Sequence, residues 1–167
     1  IAQTYKNWEL IVIDDAGKDK TYDVIKKIAD ERIHYIYSES NGGAAGARNV
    51  GIKKSKGDYI AYLDSDNEWD PNFILIMVHQ MEENHADIAY CAQRLLDDTT
   101  GKKRGIRYSS FNRAFLENRN YIDLNTLVHS RELINRYGAF RSDMRRLVDW
   151  DLLLRLTLEK TPITVPC

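Results

Sequence analysis

The 167 residues carry 24 basic and 25 acidic side chains, a formal net charge of -1. That balance excludes a general nucleic-acid binder, which shows a strongly basic composition. At 43% hydrophobic with only three prolines, the chain suits a single globular domain with a sizeable core, and runs such as Phe73 to Val78 are too short to span a bilayer.

Elements follow in order. "IAQTYKNW" reads as the tail of a helix plus a loop, so a strand and part of a helix are expected before Ile1 in a longer natural polypeptide. "ELIVID" (9–14) is a β-branched apolar run with the pattern of a buried parallel strand. In residues 18–31, Tyr22, Ile25, Ile28 and Ala29 share one helical face. "RIHYIYS" (32–38) predicts a second strand, and "ESNGGAAGARNVGIKKSKG" a glycine-rich turn entering a helix. "DYIAYLD" (58–64) is a third strand, and a helix follows with Pro71 in its first turn. "DIAYCAQRLL" (87–96) is a fourth strand. Such alternation means βαβ units and a mainly parallel sheet. After residue 97 a charged loop, "DDTTGKKRG", leads to mixed short elements and one clear helix, "VDWDLLLRLTLEK" (148–160). Cys91 and Cys167 make no disulfide framework, so a reducing compartment is expected; Cys91 reads as a small core residue.

Four acids crowd the end of the third strand: Asp64, Asp66, Glu68 and Asp70. In an open α/β sheet, ligands bind outside the carboxyl ends of the strands, and Asp14 and Asp15 close the first strand in the same way. Asp70, just before Pro71, reads as a turn former or helix cap. Asp64 and Asp66 are spaced to share one hard cation, Mg²⁺ or Mn²⁺, which would relieve their repulsion. An EF-hand loop fails, because its sixth position is Trp69 rather than glycine. A phosphatase of the haloacid dehalogenase type matches in the two aspartates alone, with Glu68 at the position where Thr or Val is usual. The turn "NGGAAGARNVG" is neither a dinucleotide fingerprint nor a P-loop. It can let backbone approach a ligand, or simply pack helix on sheet.

Three ordered blocks, residues 3–21, 41–71 and 137–156, resemble glycosyltransferase family 2, whose members are inverting enzymes of GT-A fold. The resemblance implies a nucleobase contact at Asp15 beside Asp14, and Gly43, Arg48 and Asn49 near the nucleotide. It implies a donor and metal edge at Asp64, Ser65 and Asp66, with Asp66 the direct metal ligand. It places the catalytic base at Asp149, with Asp151 a rival because Val148 replaces the acid that usually precedes the base. Spacing alone would make Asp149 a helix N-cap. The blocks also depart at "DDAG", where the family has a "DDGS"-like sequence.

The implied enzyme is a hexosyltransferase moving sugar from a nucleotide diphosphate, UDP favoured, to a glycan or lipid-linked acceptor, with Mn²⁺ or Mg²⁺ as cofactor. Residues 1–94 would bind nucleotide, and 95–167 would hold the acceptor and the base helix. The alternative is an impaired GT-A-like nucleotide-binding module. A cytoplasmic enzyme near the inner membrane face is expected, with no nucleic-acid partner and room for peripheral membrane contact through "GKKRGIR" (101–107) or for an oligomer. His129 reads as a satisfied core histidine, and Trp69 and Trp150 as core before sugar platforms.

Overall fold

β-Branched and aromatic runs become strands largely where the sequence predicts them. In the computed structural model, which describes residues 1–97 and 99–166, β1 (Leu10–Asp15) and β2 (Ile33–Ser38) form a parallel pair, Leu10 opposite Ile33 and Asp15 opposite Ser38. The helix between them, α1 (Thr21–Lys26), has six residues and buries none of them. It is shorter than its apolar stripe predicts, because so short a helix gains stability only from packing.

The glycine-rich turn opens α2 (Gly43–Lys54), which packs on β1. Gly43 enters it at φ +68°, a left-handed backbone that side chains with a Cβ rarely adopt. β3 (Tyr59–Ala61), α3 (Phe73–Glu83) and β4 (Ile88–Cys91) continue the alternation. The predicted strand 87–96 breaks at Ala92. Its second half, β5 (Gln93–Leu96), pairs antiparallel with β6 (Lys103–Arg107) in a separate hairpin. The charged stretch expected to be only loop therefore supplies a strand. Asp98 in that stretch, and the thiol expected at Cys167, lie outside the described residues.

Then come α4 (Arg113–Asn118), a 3-10 turn (Leu124–Thr126), β7 (Leu127–Ser130), α5 (Arg131–Tyr137), α6 (Val148–Leu156) and β8 (Ile163–Val165). β7 inserts between β3 and β4 and runs against both, giving the order β3-β7-β4-β8. β4 and β8 are parallel, so three of these four strands share a direction. The insertion of β7 means that residues beyond 95 build the same sheet as those before it.

Alternating side chains give this sheet a core on each face. Ile88, Tyr90 and Leu127 pack with the α6 leucines Leu152, Leu153 and Leu156 on one side. Ala89, Cys91 and Val128 meet Phe73, Met77 and Met81 of α3 on the other. Leu152, Leu153 and Leu156 of α6 and Met77 and Met81 of α3 are fully buried, which anchors both helices and so the loops at the strand ends.

His129 is also fully buried, in β7. Its Nδ1 lies 2.9 Å from the Ser130 carbonyl oxygen, so Nδ1 donates and Nε2 accepts from the Tyr62 hydroxyl, also at 2.9 Å. Burial pushes the imidazole down to about 4 from 6.5, because charging it would place a cation in the core. The folded state thus holds the proton less readily than the unfolded chain. Stability is complete above about pH 6.5 and falls as pH drops from there through 4, by on the order of 3 kcal/mol. Thermal melts over that window should show the decline, and a Tyr62→Phe/His129→Leu double variant should lose this component.

Candidate active site

β3 ends one residue before Tyr62, and Leu63 then leads to Asp64 at the edge of the sheet. The Asp64 carboxylate is held from two sides. Arg48 Nη2 donates to Oδ1 at 2.6 Å, and Asn125 Nδ2 to Oδ2 at 3.1 Å. Asn125 Oδ1 also accepts from the Asp64 backbone N–H at 2.7 Å. Asp66, Glu68 and Asp70 are exposed, and the Asp66 carboxylate accepts from its neighbour Asn67 Nδ2 at 3.1 Å. The repulsion among these acids is therefore relieved within the chain. Arg48 neutralises Asp64, and water screens the others. Trp69 steadies the loop, stacked 4.4 Å from Phe73 with Nε1 donating to the Asn125 carbonyl at 2.7 Å.

Of the two roles expected for Asp70, turn former and helix cap, the structure shows the turn. Its Oδ1 accepts from Asn72 N–H at 3.0 Å in an Asx turn, and the helix begins at Phe73, past Pro71. The two tryptophans are structural, as expected, for Trp150 Nε1 donates to the Leu116 carbonyl at 2.7 Å.

Arg48 stands on α2 with its guanidinium 5.5 Å from the Phe140 ring. Its neighbour Asn49 is turned elsewhere. The Asn49 amide donates to the Phe140 carbonyl at 2.8 Å and accepts from the Phe140 N–H at 2.9 Å, tying α2 to the loop before α6. An amide paired twice with backbone has no free edge on that side for a nucleotide, so this geometry makes Asn49 a clamp.

Asp149 lies inside the first turn of α6, not at its cap, because Leu147 takes the cap position in a left-handed conformation (φ 58°). The carboxylate is half-buried, and its Oδ2 accepts from Asn120 Nδ2 at 2.8 Å. Asp151 behaves differently. Its Oδ2 accepts two bonds from Arg155, at 2.9 and 2.8 Å, and Arg141 stands 3.9 Å from Oδ1. Both acids favour the positive end of α6, yet Asp149 faces the site and Asp151 locks the helix to its neighbours.

Arg48, Asp64, Asp66, Asn120, Asp123 and Asp149 line one cavity of about 460 Å³, with Arg107 also on its wall. That volume suits a small-molecule ligand. Four carboxylates against two guanidiniums leave the wall formally at -2. Burial would raise the Asp123 carboxyl, but hydrogen bonds from Asn125 and Gln93 outweigh it and hold the group below the usual carboxylate range. Ser65 is exposed beside this wall.

The remaining predicted residues group at the end of β1. Asp14 accepts from the Tyr35 hydroxyl at 2.5 Å and from Gly17 N–H at 2.7 Å, which fixes the turn after the strand. A Cβ at Gly17 would meet Asp14 Oδ1 at 2.7 Å, so a larger residue there would push that carboxylate aside. Asp15 Oδ1 accepts from Gly42 N–H at 2.8 Å, joining β1 to the start of α2 beside Gly43.

Among the described residues no three His, Cys, Asp or Glu side chains stand close enough to cage a metal ion. A cage is not what Mg²⁺ or Mn²⁺ requires beside a nucleotide, where one or two carboxylates act with phosphate oxygens and water. Asp66, exposed and lightly engaged, with Asp64 behind it, fits that mode.

The sequence of residues 1–142 matches the model of glycosyl transferase family 2. Over 90 residues the chain is 47% identical to the Escherichia coli UDP-Glc:alpha-D-GlcNAc-diphosphoundecaprenol beta-1,3-glucosyltransferase WfaP, covering 54% of this chain and 36% of that one. It is 35% identical over 96 residues to the putative teichuronic acid biosynthesis glycosyltransferase TuaG of Bacillus subtilis, covering 56% and 38%. The chain thus spans well under half the length of these two relatives. Among solved structures, S. aureus TarS in complex with UDP superposes with a TM-score of 0.76 at 19% identity, over 98% of this chain and 54% of that one. The Pyrobaculum calidifontis mannosyltransferase PcManGT, in complex with GDP-Man and Mn²⁺, gives 0.73 at 18%, over 99% and 48%. The family match over residues 1–142 and the likeness to these solved structures agree: this chain belongs to glycosyltransferase family 2 and has the GT-A fold.

Proposed function

We propose that this chain carries the donor site and catalytic base of an inverting glycosyltransferase. It would move a sugar from a nucleotide diphosphate, UDP favoured, to a hydroxyl of a glycan or lipid-linked acceptor. The observation that carries the reading is the meeting of Asp149 with Asp64, Asp66 and Arg48 on one cavity wall, although they are far apart in sequence. Asp14, Asp15 and Gly43 would form the nucleobase side, residues 1–94 the donor part, and residues 95–167 the acceptor side with its base. WfaP, named for a diphosphoundecaprenol acceptor, and TarS, held with UDP, support the choice of substrates.

In this reading Asp149 takes the proton from the acceptor hydroxyl as it attacks the anomeric carbon, and the configuration there inverts. Asn120 holds the carboxylate in place through its 2.8 Å bond. Arg48 and Asp66 lie where the leaving diphosphate gathers charge, and a cation bound at Asp66 would supply Lewis-acid stabilisation of that charge. The phosphatase alternative rests on Asp64 and Asp66 alone and has no support from the family match.

Calorimetric titration of UDP, GDP and TDP with and without Mn²⁺, followed by donor-hydrolysis assays, tests the proposal. UDP should bind more tightly with Mn²⁺ and UDP-sugar should be slowly hydrolysed. Binding without turnover on any donor, in a full-length chain as well, would favour the nucleotide-binding module. Absence of nucleotide binding would sink both.

A further inference from the structure

We propose that the β5–β6 hairpin docks this protein onto the surface of an anionic lipid bilayer, beside the active-site cavity. The pairing shows which way its side chains point. Gln93 and Arg107 stand opposite each other and both reach Asp123, Gln93 Nε2 at 3.0 Å and the Arg107 guanidinium at 3.8 Å. That pair faces inward, and side chains alternate along a strand. Arg94 and Ile106, the next pair, face outward. Leu95 and Gly105 turn in again and are half-buried, and beyond a bulge Leu96 stands opposite Lys103 on the outer face. The outer face therefore presents Leu96 at 53% exposure and Ile106 at 60%, interleaved with exposed Arg94 and Lys103.

Charge singles out the same element. Residues 93–107 hold five cations (Arg94, Lys102, Lys103, Arg104, Arg107) against Asp97 and Asp98, a surplus of three in a chain whose total is -1. Arg104 is occupied by Asp97, its Nε donating at 2.9 Å. Among the described residues, Arg94, Lys102 and Lys103 enter no ion pair, leaving their charge available to a partner. A soluble polyanion would need the cations and have no use for Leu96 and Ile106. An apolar protein groove would bury the two hydrophobic tips but strand the cations between them. A bilayer interface satisfies both, because apolar tips enter the headgroup boundary while Lys and Arg meet lipid phosphates.

The hairpin's inner face lines the cavity through Arg107, so docking by the outer face would hold the cavity one hairpin's thickness from the headgroups. There it would meet the sugar of a lipid-linked acceptor. This last step rests on the proposed function; docking itself does not.

Vesicle co-sedimentation of the full chain tests the inference, comparing phosphatidylcholine with phosphatidylcholine plus phosphatidylglycerol. Binding should require the anionic lipid and weaken with added salt. Lys102→Gln/Lys103→Gln should reduce it about 30-fold, and Leu96→Ser/Ile106→Ser by roughly tenfold or more. Ile106→Trp, with every native charge kept, should add fluorescence emission that shifts to the blue with anionic vesicles. Equal binding to both vesicles, unchanged affinity in folded hairpin variants, or no blue shift in the Ile106→Trp variant would overturn the proposal. So would displacement by inorganic pyrophosphate at the concentration of lipid phosphate, which would reveal a site for free phosphate. UDP binding measured on the same samples separates the two readings. Vesicle binding without UDP binding strikes the proposed function alone, and the converse strikes docking alone.

Discussion

Replacing Asp149 by Asn is expected to lower kcat about 10²–10⁴-fold while leaving KM for the UDP-sugar within about a factor of two. The amide keeps the shape of the carboxylate and can still pair with Asn120, so the site should persist without its proton acceptor. Any stability change should stay small, about 0.3–1 kcal/mol, from loss of a negative charge in the first turn of α6. Asp151→Asn is the informative contrast. Its carboxylate holds Arg155, which in turn donates to the carbonyls of Tyr137, Gly138 and Ala139 at 2.7–2.8 Å. Losing that anchor should destabilise the fold by about 2 kcal/mol and leave kcat of the folded fraction near that of the parent. If Asp151→Asn abolished turnover in a folded protein and Asp149→Asn did not, the two assignments would have to be exchanged.

The same pair shows what the sequence can and cannot convey. Both acids sit in "LVDWDLLLRL", and neither hydropathy nor spacing says which one faces the cavity. The answer depends on Arg155 one turn later, on Asn120 from a distant loop, and on Leu147 taking the cap position. The strands were legible because β-branched runs bounded by turn residues have few other uses. β7 was harder, since four residues after a 3-10 turn carry almost no periodicity and its place between β3 and β4 is set by pairing alone. Asp64 and Asp66 were legible as a pair, but their environment was not. Asn125 is the residue that sequence reasoning missed. At 8% exposure it connects Asp64, Asp123 and Trp69, yet a lone asparagine in a weakly patterned stretch gives no signal of that role. Asn49 is the opposite case. Its motif was recognisable, while its pairing with Phe140 exists only in three dimensions.

Asp66→Ala should abolish the Mn²⁺-dependent gain in UDP affinity and reduce turnover about a hundredfold or more, while metal-free UDP binding stays near the parent value. The prediction is sharp because Asp66 contributes little to the fold: it is exposed, and its carboxylate accepts from the adjacent Asn67. Structural damage is thus a poor explanation for a loss. Arg48→Met should act in the other direction on the bare cation. Arg48 now occupies one oxygen of Asp64 at 2.6 Å, with the pair partly exposed, so removing the guanidinium frees that oxygen and uncovers its charge. Mn²⁺ alone should then bind about fivefold more tightly, a shift in keeping with the modest strength of a partly exposed ion pair. UDP should bind more weakly, because the same guanidinium would meet the diphosphate. Opposite signs for metal and nucleotide in one variant would tie Arg48 to both. A fall in affinity for Mn²⁺ as well would show that Arg48 orders Asp64 for the cation and does not compete with it. Mn²⁺ dependence surviving unchanged in Asp66→Ala would remove the metal from this loop altogether.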